Sequence, residues 1–514
     1  SEGVYSSNGM ESFYWPISYA CRRKFAEDYI QNLKMFFSEI PEEHKHDAEI
    51  FLTLQSNLFV IVTTLAQTSL LKSRLEGRKI RYPKNFASCW RAKSPNEWLS
   101  SIERRLLQDT VAPRWRTYAR GLKYAIKKGA VKAVPLWMLP KNSTVMVGTS
   151  PLLERYIEDK NYKRLFYVPV SEWLPTLKAD SLATAVSEDI IDKFMTCIPD
   201  IDGHKIEDIY LTALRDFIRS TSKKIKLHLH NLEQKKLSLP KILLSGSMGM
   251  LPNSILALAV KRNGGKVIGF DHGFSCNIWS NSTTAFVETQ LTDEFYTFSP
   301  VSTDTIRKKM NDHCFANPKP VINYIESPDK QNVISSSEKA GTSQKQTIMF
   351  VQAFFIGDQG ELDPLMPDVV SADWQARLFS RLHELGYKII LKPHPISGTQ
   401  LPKEFLKELD IEISDEPFEN VCKQADILMF DYALSTTFHV GVLSGKPMVY
   451  FHFSDSHYPK DLEENLHNRI SVAPGHYDET NKAQIDWSAL HQTIENSKKK
   501  TDNSLCTQVL PNFK

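Results

Sequence analysis

The sequence predicts an α/β protein with two Rossmann-like domains that face a cleft, preceded by a layer of helices. Two observations support this prediction. Short apolar runs of strand length alternate with helix-like sequence in both halves of the chain. Polar residues also follow several of these runs where the predicted strand ends, and parallel sheets bind their ligands at that edge.

The clearest alternation lies in the second half. Three runs there have the length and branching of buried parallel strands: Lys388–Leu391, Ile427–Phe430 and Met448–Phe451. Thr347–Val351 predicts an earlier strand, and Ala372–Leu385 predicts a helix. We assign this second domain to residues 347–496 and expect a frayed tail over residues 497–514.

A unit of the same kind precedes it, at residues 141–316. Its predicted strands are Thr144–Gly148, Leu165–Val170, Lys241–Ser245 and Lys266–Phe270, and its predicted helices are Ile190–Ile198 and Ile206–Ile218. Gly246 and Gly249 do not complete a dinucleotide fingerprint, so we do not expect NAD. Residues 317–346 are rich in Pro, Ser, Lys and Gly, which is typical of a linker or a mobile loop.

Residues 1–140 have mainly helical patterns, clearest in Asp47–Leu75 and Trp98–Leu107, and we expect them to pack on the first domain. One segment, Arg114–Lys132, has seven basic residues and no acidic residue. Two interpretations stay open for it. A basic helix can bind anionic lipid at a membrane surface, and the solvated face of a packed helix has the same composition.

Composition narrows the function classes. The 514 residues are 41% hydrophobic and 24% charged, as in ordinary globular proteins. A net charge of +3 does not favour nucleic acid as a partner. The seven scattered cysteines lack metal or disulfide spacing, and we expect no run of the roughly 20 apolar residues that cross a bilayer. We therefore expect a cytoplasmic protein. The chain begins at Ser1 and not at methionine, which leaves open whether it is part of a longer protein.

The strand ends of the second domain predict a phosphate site. Lys392, His394 and Pro395 follow one strand, and prolines on both sides hold His394 in an extended turn. Asp431 follows the next strand, and we expect the two strands to be neighbours in the sheet. After Asp431, Ser435 is placed to cap a helix, and Ser435, Thr436 and Thr437 offer hydroxyl groups at the positive end of the helix dipole. A loop histidine and an ordinary helix cap are the alternatives.

The first domain has its own candidate at a strand end, Asp271-His272-Gly273. A carboxylate beside an imidazole, followed by a glycine that lets substrate approach, forms a plausible acid/base pair. A tight turn capped by Asp271 is the alternative. The sequence leaves open which of the two is the catalytic group, with Glu288 as a third residue to test.

These motifs resemble a group of GT-B enzymes that use cytidine nucleotides. A His-Pro after one strand and an Asp-Tyr-x-x-Ser-Thr segment after the next are similar to bacterial polysialyltransferases, capsule Kdo transferases and CDP-glycerol glycerophosphotransferases. The resemblance covers about a third of the chain. It implies that His394, Ser435 and Thr436 bind the nucleotide phosphate, with Asp431 and Thr437 close by. At Asp271 the sequence matches neither the His-Gly-Thr nor the acidic pair found in these families.

We therefore expect a glycosyltransferase that moves a 2-keto sugar acid, of Kdo or sialic type, from a CMP donor. The expected acceptor is a glycan of a bacterial surface polysaccharide or lipopolysaccharide, either free or lipid-linked. No Asp-x-Asp motif lies at either of these strand ends, so we expect no metal and no cofactor besides the donor. Asp271 would be general base in an inverting reaction or nucleophile in a retaining one. The alternatives are a CDP-glycerol-type polyol-phosphate transferase, a nucleotide-sugar epimerase and an inactive nucleotide-binding module.

Overall fold

The computed structural model describes residues 13–76, 94–108, 131–134, 136–160, 165–174, 184–234, 239–271, 278–280, 283–325, 345–353, 355, 366–395, 401–500, 502 and 505. Within these ranges the chain forms two seven-stranded sheets with helices packed on them. The predicted architecture is confirmed. It consists of two Rossmann-like domains that face a cleft, as in the GT-B class, with a helical layer at the N-terminus.

The helical layer consists of α1 (Tyr19–Ser38), α2 (Lys45–Arg74) and α3 (Pro95–Gln108). The two predicted helices of this region, Asp47–Leu75 and Trp98–Leu107, correspond to α2 and α3. Ser18 begins α1 by accepting a hydrogen bond from the Cys21 amide at 3.1 Å. The apolar faces of α1 and α2 belong to the same buried cluster as the first sheet and its helices, and this cluster extends to second-domain residues such as Ile348 and Trp374.

Helix α2 corrects one expectation. With the short turn before it, Glu42–Arg74 is long and apolar enough to cross a membrane, and it is uncharged from Ile50 to Leu71. However, 67% of its most apolar stretch is buried inside the protein. Its polar side chains are buried as well, for example Thr68 and Ser69. Such burial is expected of a core helix.

The first sheet has the order β1-β3-β2-β4-β5-β6-β7, and all its neighbours are parallel. Its strands are β1 (Val131–Ala133), β2 (Thr144–Val147), β3 (Leu165–Tyr167), β4 (Ile242–Ser245), β5 (Lys266–Phe270), β6 (Glu294–Thr297) and β7 (Val321–Tyr324). The helices between them are α4 (Pro151–Lys160), α5 (Val170–Trp173), α6 (Glu188–Thr196), α7 (Asp208–Gln234), α8 (Leu251–Arg262), α9 (Thr284–Val287) and α10 (Pro300–His313).

The structure corrects three boundaries in this half. Strand β7 lies inside the segment 317–346 that was predicted as a linker, so the first sheet extends to Tyr324. Strand β3 ends at Tyr167, short of the predicted Val170, because Pro169 precedes helix α5. Val131 and Lys132, the last two residues of the predicted basic helix, belong to edge strand β1. The rest of that basic segment lies outside the described residues.

The second sheet has the order β10-β9-β8-β11-β12-β13-β14. Its strands are β8 (Thr347–Val351), β9 (Lys388–Lys392), β10 (Glu412–Ile413), β11 (Ile427–Phe430), β12 (Met448–His452), β13 (Ser471–Tyr477) and β14 (Ala483–Ile485). All pairs are parallel except β13 and β14, which form an antiparallel hairpin. Its helices are α11 (Asp368–Glu384), α12 (Lys403–Glu408), α13 (Phe418–Val421), α14 (Thr436–Leu443), α15 (Lys460–Arg469) and α16 (Leu490–Ser497).

In each sheet the chain first adds strands on one side of a central strand and then returns to add strands on its other side. We call the place between these two sides the reversal point. In the second sheet the chain runs from β8 outward through β9 and β10, then returns to the other side of β8 as β11. In the first sheet the same reversal lies between β2 and β4. Gly246 follows β4 there, and a Cβ atom on it would lie 2.7 Å from the Thr149 carbonyl carbon, so the two loops touch. Ligands of open α/β sheets bind in the crevice at such points.

Candidate functional site

A cleft lies at the reversal point of the second sheet. It encloses about 610 Å³ of open space, including solvent at its mouth. The residues that follow three adjacent strands line it, namely Ala353 after β8, Asp431 after β11 and Phe453 after β12. The cleft therefore occupies the position at which the fold is expected to hold a ligand.

Two aromatic side chains from the N-terminal half complete the cleft. Tyr19, at the start of α1, stacks on Tyr477 with the ring centroids 5.7 Å apart. Trp279 is 2% exposed and packs against the second domain, with its ring 5.8 Å from Tyr450 and 5.0 Å from Tyr458. Both domains thus contribute to one binding surface.

Backbone contacts hold Trp279 in this position. The Ser280 amide donates to the His457 carbonyl at 2.9 Å, and the His457 amide donates to the Ser280 hydroxyl at 2.8 Å. One of these hydrogen bonds joins two backbone groups and the other joins a backbone amide to a side-chain hydroxyl, and both connect the two domains. They order the segment that presents the indole, so the position of Trp279 does not depend on side-chain packing alone.

Asp431 is the titratable group of the cleft. Its Oδ1 atom is buried and has no hydrogen-bond partner among the described residues. Burial raises the pKa of its carboxyl to about 7, and nearby N–H groups, including its own amide and the Trp374 indole, lower that pKa by less. Near neutral pH this carboxyl can therefore be present with or without its proton.

The predicted helix start is confirmed. Ser435 caps α14 by accepting a hydrogen bond from the Phe438 amide at 3.1 Å. Thr436 is exposed and Thr437 is partly exposed, so their hydroxyl groups are accessible. Gly445, with φ of +71°, follows the end of the helix. The loop from Asp431 to Leu434 lines the cleft and runs directly into α14, which places the helix N-terminus beside the cleft.

A buried histidine supports this helix from inside. The His439 ring is 3% exposed, and its Nδ1 atom lies 3.3 Å from the Ser435 carbonyl. Burial lowers the pKa of His439 to about 4, so the ring is neutral at physiological pH. It therefore adds no positive charge to the helix start, and the dipole and the hydroxyl groups remain the features that suit an anion there.

Lys392, His394 and Pro395 lie at the end of β9. Lys392 is 7% exposed, and its Nζ atom donates to the Pro393 carbonyl at 3.0 Å. Burial lowers the pKa of Lys392, and the carboxylates of Asp415 and Glu419 partly oppose this shift. Burial, with the neighbouring lysine, also lowers the pKa of the partly exposed His394. Pro395 is exposed.

One geometric expectation about these residues is wrong. The strands that precede His394 and Ser435 are not neighbours, because β8 lies between β9 and β11. Adjacent strands are about 4.8 Å apart, so β9 and β11 lie roughly 10 Å apart on either side of β8. His394 and Ser435 still lie at the same edge of the sheet.

Asp271 lies directly after β5 in the first domain, next to the strand that borders the reversal point. It is 2% exposed, and its amide donates to the Tyr296 carbonyl at 2.9 Å. Its predicted partner, His272, lies outside the described residues. The third candidate, Glu288, is buried and accepts hydrogen bonds from the Ser247 hydroxyl, at 3.2 Å, and from the Met248 amide. Glu288 thus holds the loop after β4.

The aromatic lining was not predicted from sequence. The sequence around Trp279 could have predicted its contact. Trp279 is a lone tryptophan within the polar stretch Cys276–Thr283, and large aromatic residues in polar loops commonly contact another surface. No sequence feature predicts the contact of Tyr19, since the start of an amphipathic helix has the same pattern whether or not it contacts a second domain.

Comparison with known proteins adds little beyond the fold. No protein-family profile and no curated protein matches the chain. Among solved structures, the chain is similar to a UDP-N-acetylglucosamine 2-epimerase from Rickettsia bellii (15% identity, TM-score 0.38, 73% of this chain and 92% of that one). It is also similar to a UDP-glucosyltransferase from Polygonum tinctorium (11%, 0.37, 73% and 94%) and to a protein of O. sativa in complex with UDP (11%, 0.35, 71% and 96%). At these values the likeness carries no argument about activity or substrate.

Proposed function

We propose that this protein transfers a sugar from a cytidine-nucleotide donor to a glycan acceptor. The donor is a CMP-linked 2-keto sugar acid of Kdo or sialic type, and the acceptor belongs to a bacterial surface polysaccharide or lipopolysaccharide. The main support is the interdomain cleft, which opens at the reversal point of the second sheet and adjoins the capped start of α14.

The donor phosphate would lie over the end of β8, between two groups of hydrogen-bond donors. On one side are the first amides of α14 with the hydroxyl groups of Thr436 and Thr437, and on the other are Lys392 and His394. Hydroxyl groups and helix dipoles suit phosphate, and together with a lysine they stabilise the charge that develops on a leaving phosphate. The proposal therefore requires no metal.

The acceptor side would be the first domain. Asp271 stands at a strand end of that domain, where a buried carboxylate can act as a general base toward an acceptor hydroxyl or as a nucleophile toward the donor. Since donor and acceptor groups come from different domains, the reacting atoms meet only inside the cleft. We place the protein in the cytoplasm, at the inner face of the membrane if Arg114–Lys132 binds anionic lipid.

A two-part experiment tests this function. Thermal-shift measurements with CMP, CDP, UDP and GDP report which nucleotide stabilises the folded protein. An assay for CMP release, with CMP-Kdo and CMP-sialic acid as donors and a lipopolysaccharide acceptor, then tests transfer. Stabilisation by CMP together with acceptor-dependent CMP release is the expected result. A preference for UDP would overturn the cytidine assignment, and a phosphodiester product from CDP-glycerol would identify a polyol-phosphate transferase instead.

A further inference from the structure

The cleft has aromatic walls and little positive charge. Seven of its fifteen described lining residues are aromatic, and none of the fifteen is a lysine, an arginine or a histidine. A phosphate would find no cationic partner on these walls, whereas a planar ring can stack against aromatic faces. The composition of the cleft therefore suits the nucleobase of a donor, with the phosphate outside it.

The cleft also has two polar atoms that find no hydrogen-bond partner in the described part of the chain. Trp279 Nε1 and Asp431 Oδ1 are both buried, and neither has a hydrogen-bond partner among the described residues. Both residues line the cleft, and they come from different domains. Buried polar groups are nearly always paired, so two unpaired ones at one cleft indicate that a ligand supplies partners there.

The chemistry of these two groups favours one kind of base. A carboxylate accepts hydrogen bonds, and the exocyclic amino group of cytosine is a donor that aspartate recognises elsewhere. Uracil has an oxygen at that position. The ionised form of Asp431, which prevails above pH 7, repels that oxygen. An indole N–H is a donor only, and it suits the C2 carbonyl oxygen that cytosine and uracil share.

We infer that the cleft binds the cytosine ring of the donor, and that Asp431 accepts a hydrogen bond from its exocyclic amino group and so selects cytidine over uridine nucleotides. This inference rests on the proposed function and names the specificity residue of the same site. The direction of the chain supports it. Beyond Asp431 the cleft loop leads into α14, so a nucleotide with its base at Asp431 extends its phosphate toward Ser435.

The test compares CMP with UMP, which have the same phosphate and differ in the base. Isothermal titration is carried out on the parent protein, on Asp431→Asn and on the control Asp461→Asn, which changes an exposed carboxylate of the same domain. The parent is expected to prefer CMP. In Asp431→Asn the preference should fall by at least about tenfold, as for loss of a hydrogen bond to a charged group, because an amide can also donate to uracil. The control should keep the parent ratio.

A second variant tests the position of the ring. Trp279→Phe keeps an aromatic face and removes the N–H, so it should weaken CMP and UMP by the same factor. Equal losses support a hydrogen bond from the Trp279 N–H to the oxygen that both bases share, and unchanged affinity for both nucleotides overturns the placement of the base beside Trp279. An unchanged CMP/UMP ratio in Asp431→Asn overturns the role of Asp431 and leaves the proposed function standing. If the parent binds neither nucleotide or prefers UMP, the cytidine donor is wrong and the inference fails with it.

Discussion

The Trp279 indole packs edge-on against the Tyr458 ring, with the ring centroids 5.0 Å apart and the planes at 70°. The two residues belong to different domains, and Trp279 lies within the apolar cluster of the second domain together with Phe438 and Tyr450. A side chain from the first domain is thus a core residue of the second. This contact couples the stability of the domains to the shape of the cleft between them.

Trp279→Ala should destabilise the protein strongly. Removing a fully buried indole typically lowers the free energy of unfolding by about 3–5 kcal/mol, because burial is lost and a cavity remains. Urea unfolding followed by circular dichroism measures the effect. Trp279→Phe is the matched control and should lose much less, since it keeps most of the packing. Equal unfolding midpoints for Trp279→Ala and the parent would show that the indole is not part of the core.

Asp431→Asn should change the pH dependence of stability. The pKa of this carboxyl is about 7 in the folded protein, against about 3.9 for an unperturbed aspartate. Between these values the folded state holds a proton that the unfolded state has released. The stability from this proton is therefore present below pH 4 and is lost as the pH rises through 7.

Replacing the carboxyl by a neutral amide removes this loss. Asp431→Asn should therefore gain stability over the parent as the pH rises from 4.5 to 8, and urea unfolding at both values measures the gain. Asp461→Asn, with an exposed carboxylate, is the control and should show no such trend. If Asp431→Asn gains more stability over the parent at pH 4.5 than at pH 8, the result would contradict the raised pKa of Asp431.

Asp478→Asn should show the opposite dependence. Burial raises the pKa of Asp478, but hydrogen bonds from Gln484, from the Thr480 hydroxyl and amide, and from the Lys482 amide outweigh it and hold the pKa at about 2. The stability from this carboxylate is present above about pH 4 and is lost as the pH falls through 2.

The Asp478 bonds shape the turn between β13 and β14, and that turn contacts the N-terminal region. The Trp15 amide donates to the Thr480 carbonyl at 2.9 Å. Asp478→Asn should lower the free energy of unfolding by about 1–3 kcal/mol at pH 7, the range for hydrogen bonds to a charged group. The deficit should shrink near pH 2, and a deficit that stays constant from pH 7 to pH 2 would rule out the carboxylate as its source.

Catalysis and donor binding should separate by domain. Asp271→Asn keeps the shape of the side chain and removes its charge, so turnover should fall at least about a hundredfold while CMP affinity stays near that of the parent. His394→Ala should instead weaken CMP binding by about 1.5–3 kcal/mol. Calorimetry and the CMP-release assay measure both. Full turnover in Asp271→Asn would move the catalytic role to another residue, with His272 the next to replace.

Much of the local structure could be predicted from the sequence. Strands β5, β8 and β11 have the predicted bounds, and Ser435 caps α14 as predicted. In each case the determining information is local. A strand buried on both faces needs an uninterrupted apolar run, and a helix start needs a side-chain acceptor within three residues of the amide that it caps.

Only the tertiary structure decided which groups meet. The order of strands placed β8 between the strands of His394 and Ser435, because strand pairing joins segments far apart in sequence and leaves little local trace. The same holds for the cleft, where Tyr19 and Trp279 meet the second domain. The sequence by itself determined the elements and the polar residues at their ends. The pKa of Asp431 and the aromatic surface beside it arise from burial by distant parts of the chain, and burial is a property of the packed molecule.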